Sequence, residues 1–164
     1  MIGTDQPPAP FGALLRHFAD LRDGTHGDAR SRREKEELFA AAVNFLDQYA
    51  RLVLEESDAY LLALTGDHSA TGVRRGVGGL TARWMLSWPE QRNADLPPLT
   101  LLAHYGWTFH HPHLRGVTVG EWPLNVFSET DAAAELPTLR SIVAADIHNL
   151  VFQRDYRIVP ATVR

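Results

Sequence analysis

The chain has 164 residues, 45% hydrophobic and 22% charged, the balance of a globular chain long enough to bury a core rather than of a disordered one. Its formal charge is −4, and its one basic run, Arg30, Arg32 and Arg33, is answered at once by Glu34, Glu36 and Glu37, which argues against nucleic acid as a partner. The absence of cysteine excludes disulfides, thiolate metal sites and cysteine nucleophiles.

The opening residues, MIGTDQPPAP, form a proline-rich tail over 1–10 without the pattern of a secretory signal. No apolar run has the length of a membrane span. The cytoplasm is therefore the expected location, and residues 11–164 are expected to form a single domain. FGALLRHFADLRDG reads as a short amphipathic helix with Phe11, Leu14, Leu15, Phe18 and Leu21 on its apolar face and Gly24 at its end. After a turn-rich connector, Ser31 and Glu34 make the S-x-x-E pattern of a capping box. A helical pattern then runs to Gly66, long enough that a break near Ser57 is expected.

Residues 66–79, GDHSATGVRRGVGG, read as a glycine-rich loop. LTARWMLSW alternates with a period of two and predicts a strand closed by Pro89. LTLLAHY, between Pro98 and Gly106, fits a short helix, although its letters also alternate as a strand would. GVTVG and WPLNVF read as short strands. Ser128 and Asp131 cap a helical region whose main part opens at Pro137 and runs to about Asp155. The fold class is α+β, mainly helical, with a long helix and a C-terminal helix packed on a small antiparallel sheet.

Two carboxylates interrupt apolar stripes. Leu38, Ala42, Phe45, Tyr49, Leu52, Glu56, Ala59 and Ala63 share a helical face, as do Leu136, Leu139, Val143, Asp146 and Leu150. A buried, unpaired carboxylate costs several kcal/mol, so Glu56 and Asp146 each require a partner. That partner is either an arginine or another polar side chain, or a shared catalytic or metal site between the helices. The Glu-x-x-His pair of di-iron bundles is missing.

Four of the eight histidines, His104, His110, His111 and His113, fall within HYGWTFHHPHLRG. His111 and His113 flank Pro112 and point the same way in an extended chain, a geometry suited to one divalent metal ion. The aromatics supply a different reading. Trp84, Trp88, Trp107 and Trp122 crowd the middle of the chain, and tryptophan and arginine anchor interfaces. Arg74 and Arg75, in a glycine-rich segment, suit a carboxylate partner.

Two functions follow as expectations. The first is a non-catalytic accessory or oligomer-forming subunit that docks a protein partner, or its own copy, through the aromatic middle. The second is a small metal-dependent enzyme using Glu56, Asp146 and the clustered histidines.

Overall fold

A computed structural model describes residues 6–163. Residues 1–5 of the proline-rich tail lie outside the described residues, and the rest of that tail runs into helix α1 (Ala9–Asp23), where Pro8 stands at the N-cap and Gly24 ends the helix at φ 69°. Helix α2 (Arg32–Leu61) starts on the capping box: Ser31 accepts from the Glu34 backbone N–H, and the Glu34 carboxylate accepts from the Ser31 N–H. It runs unbroken for 30 residues, about 45 Å. The expected break near Ser57 does not occur, because the Ser57 hydroxyl donates to the Val53 carbonyl one turn back and stays inside the helix. The helix ends instead where Ala63 and Leu64 adopt positive φ.

The glycine-rich segment corrects the loop expectation. It holds β1 (Asp67–Ala70) and β2 (Arg74–Gly76), which lie end to end along one edge of β3 (Gly79–Ser87). Exposed, polar strands carry little apolar alternation, so the pattern hid them. Helix α3 (Pro89–Asn93) leads into β4 (Leu99–Gly106), a strand rather than a helix. Strands β5 (His113–Arg115) and β6 (Trp122–Pro123) complete a six-stranded antiparallel sheet in the order β1-β3-β4-β5-β6, with β2 beside β3. Residues 116–120, expected as a strand, form a turn, and WPLNVF contributes only its first two residues to the sheet. Helices α4 (Glu129–Ala134) and α5 (Leu136–Gln153) follow, with Ser128 capping the first.

Leu80, Ala82, Trp84 and Leu86 of β3 and Leu99, Leu101, Ala103 and Tyr105 of β4 make the buried face of the sheet, against which α2 and α5 pack. Core side chains such as Phe39 and Leu46 each contribute roughly 1.5–3 kcal/mol of burial. Residues between them in sequence, including Thr100, Leu102 and His104, occupy the opposite face. Among the described residues no helix is long and apolar enough to cross a membrane.

Helix α1 is turned the other way round from an ordinary surface helix. Ala13 and His17 are its buried positions, whereas Phe11, Leu15, Phe18 and Leu21 are exposed. The helix therefore meets the body through Ala13 and His17, with Leu14 half-buried, and the rest of its apolar row faces outward.

Candidate metal centre

The connector after α1 is a tight turn. His26 and Ala29 exchange both backbone hydrogen bonds, and Gly27 takes φ 56° between them. Glycine is required at this point, since a Cβ on residue 27 would lie 2.8 Å from the Phe127 ring. The turn drops the His26 ring beneath α1, where the residue is 1% exposed. Asp20, one turn before the end of α1, holds the connector from above: its carboxylate accepts from the Thr25 hydroxyl at 3.0 Å and from the Gly27 N–H at 3.3 Å.

His111 arrives from the segment between β4 and β5 and is also 1% exposed. Its Nε2 lies 2.5 Å from the Thr25 carbonyl. A carbonyl only accepts, so Nε2 carries the proton and Nδ1 keeps its lone pair. Among the described residues that Nδ1 has no hydrogen-bond partner, and neither ring nitrogen of His26 has one. One ligand atom from each of Asp20, His26 and His111 lie within 4.8 Å of one another.

His17 extends the cluster. Its ring is 5.0 Å from that of His111, edge to face, and 5.5 Å from that of His113, and its Nδ1 is buried without a partner among the described residues. The His113 Nδ1 is held by the His111 carbonyl at 3.1 Å, and the His113 ring stacks on His104, whose Nε2 sits 2.8 Å from a Glu121 carboxylate oxygen.

Burial, with His111 beside it, pushes His26 down to about 4. Burial lowers His17, His111 and His113 as well. These rings therefore stand as neutral imidazoles at neutral pH, the form that coordinates metal. Leaving two such rings buried without partners costs about 1–3 kcal/mol per unmatched group, a deficit that a bound cation removes. Two imidazoles and a carboxylate suit Zn²⁺, Ni²⁺, Co²⁺ or Fe²⁺ better than Ca²⁺ or Mg²⁺, and the Thr25 carbonyl on the far nitrogen of His111 is the usual outer support of a ligand imidazole.

The residues singled out from the sequence distribute differently. Of the four clustered histidines, His111 joins this centre, His113 and His104 lead away from it along the sheet, and His110 is exposed, its carbonyl accepting from Lys35 at 3.4 Å. Glu56 lies off the buried stripe of α2, which runs through Phe39, Val43, Leu46, Ala50 and Val53. It makes a paired contact with Arg140 at 2.6 and 2.9 Å. The buried acid of α2 is instead Asp58, bound to the Gly66 N–H and to His68. Asp146 is fully buried as expected, but its oxygens go to the backbone N–H groups of Val117 and Thr118, both at 2.8 Å, and to the Thr118 hydroxyl. Glu56 and Asp146 thus have separate partners and do not join the histidines.

The tryptophans also divide. Trp84 and Trp88 are core residues, their indole N–H groups satisfied by Asp47 and by the Ile158 carbonyl, so neither offers a docking surface. Trp107 is exposed between the guanidinium groups of Arg32 and Arg75. Trp122 is half-buried, and Arg74 is exposed. Asp20 and His26 carry no ligand signal in the sequence, and His17 is one histidine among several that could join Glu56 or Asp146; only the fold sets all three beside His111.

Comparison with protein-family models, with curated proteins and with solved structures returns no match for this chain.

Proposed function

We propose that this protein is a metal-binding accessory protein in which one divalent transition-metal ion, held by Asp20, His26 and His111 with His17 as a fourth ligand, pins α1 to the body. The observation that carries this reading is a pair of buried imidazoles with unpartnered nitrogens, each ring setting one of its nitrogens within 4.8 Å of the other ring's and of an Asp20 carboxylate oxygen. Ligands around a tetrahedral zinc stand about 3.4 Å apart, so the group closes onto an ion by small side-chain movements. Both imidazoles are enclosed, the environment of structural metal sites more than of catalytic ones, which keep an open position. That favours an accessory role over the metal-dependent enzyme.

The test is metal analysis of the purified protein after incubation with Zn²⁺ or Ni²⁺ alone. One ion per chain is expected, lost in His26→Ala and in His111→Ala and retained in His148→Ala, which changes an exposed histidine on α5. Failure to take up either ion stoichiometrically, or uptake unaffected by His26→Ala, overturns the reading.

A specific observation favours oligomer formation as well. Phe11, Leu15, Phe18 and Leu21 form one row on α1 and are each 47–61% exposed. We infer that the row pairs with its own copy, since a twofold contact between identical helices covers both rows with a single surface. Sedimentation equilibrium of the metal-loaded protein should give a dimer, and Phe18→Glu should give a monomer. A monomer at all concentrations removes this part of the reading.

A further inference from the structure

A second site lies nearer the N-terminal end of α1. Between that helix, β6 and the α4–α5 junction is a cavity of about 150 Å³, with Arg16, Trp122, Asn125, Asp131 and Glu135 as its main polar lining. Asn125 is 2% exposed, and its amide nitrogen donates to the Ala13 carbonyl at 3.2 Å. That bond fixes the orientation of the amide and leaves Oδ1 as a buried acceptor with no donor among the described residues. The indole N–H of Trp122 has no acceptor there, and Oε2 of Glu135 has no donor. Three unmatched polar atoms thus come from residues lining one small cavity, whereas buried polar groups are normally paired.

The three atoms have almost no accessible surface, so small side-chain rotations are what bring them to an occupant of the cavity, and their chemistry sets out what that occupant must carry. Asn125 Oδ1 and the Glu135 carboxyl call for N–H donors, and Asp131 adds a negative charge close to Glu135. The Trp122 N–H and the Arg16 guanidinium call for an acceptor that bears negative charge. A cavity of about 150 Å³ admits a molecule the size of benzene, roughly six or seven non-hydrogen atoms. An ammonium and a carboxylate on so small a frame describe an α-amino acid.

We propose that this cavity binds a small zwitterionic α-amino acid of the size of glycine, alanine or serine, its ammonium on Asn125 and Glu135 and its carboxylate on Trp122 and Arg16. Burial, offset in part by Arg16, pushes Glu135 up to about 7, so an arriving ammonium finds an acid able to release its proton and pair with it. The site uses none of the residues of the metal centre, although α1 serves both. Each can fail without the other.

The experiment is titration of the full chain with glycine, L-alanine and L-serine in turn, followed by calorimetry and by the Trp122 indole N–H resonance. One of the three is expected to bind one-to-one and shift that resonance, while ethylamine and propionate, the two halves of the ligand, bind at least tenfold more weakly. Glu135→Gln and Trp122→Phe should each weaken binding about tenfold or more. Silence of all three amino acids, equal binding of ethylamine, unchanged affinity in both variants, or a crystal structure grown with the amino acid that binds and showing only ordered water in the cavity each overturns the proposal. Should a variant fail to fold, the Trp122 resonance of the unaltered protein still decides.

Discussion

Asp146 spends both of its oxygens on the turn that follows β5. Two backbone N–H groups, of Val117 and Thr118, and the Thr118 hydroxyl converge on it, and Asn149 on the same helix donates in turn to that hydroxyl at 2.8 Å. A buried carboxylate is stable here because the turn supplies the donors that water otherwise would. Asp146→Asn replaces one acceptor by an N–H₂ group facing existing donors, and is expected to cost about 2–3 kcal/mol in chemical denaturation. Glu56→Gln removes a partly exposed ion pair to Arg140 and is expected to cost no more than about 1 kcal/mol. Equal costs would show that burial does not separate the two acids.

The metal reading predicts a local effect. Removal of the ion by a chelator should speed amide hydrogen exchange in α1 and in the 24–30 connector first, and in the central turns of α2 and α5 by no more than the change in global stability, because α1 meets the body largely through its histidine face. Saturation at about a hundredfold excess over the dissociation constant should raise global stability by about 2.7 kcal/mol.

Gly27 is a sensitive position for that centre. In Gly27→Ala the new methyl meets both a positive φ and the Phe127 ring, so the turn that carries His26 has to move. A loss of at least 1 kcal/mol and about tenfold weaker Zn²⁺ binding are expected. Gly72→Ala, at φ 63° with open space around it, is the control, expected to carry the backbone cost without a change in metal affinity.

Glu135 gives a pH dependence of known sign. Its carboxyl is raised from 4.5 to about 7 in the folded chain, so between those values the folded state holds a proton that the unfolded state has released. Its contribution to stability is complete below about 4.5 and falls as pH rises to about 7, by on the order of 2–3 kcal/mol. Glu135→Gln cannot titrate and should flatten that part of the profile, measured by urea denaturation from pH 4 to 8.

Local chemistry was legible in the order of the residues. Ser31 and Glu34 announced the start of α2, the alternation from Leu80 to Trp88 announced β3, and Asp146 stood out as the acid of a buried stripe; each signal needs only the period of one element. The α+β class followed from those periods. Signals that depend on which way an element turns were not legible. Helix α2 carries apolar residues over so wide an arc that its buried edge falls on Val53 and Ser57 instead of Leu52 and Glu56, a rotation of about one residue that pattern alone leaves open. Helix α1 reverses the rule outright, facing His17 inward and Phe18 outward. The union of His17, Asp20 and His26 with His111 belongs to tertiary structure alone: the chain closes the loop between them by seating α1 over the segment between β4 and β5, and nothing in local periodicity encodes contact between side chains so far apart in sequence.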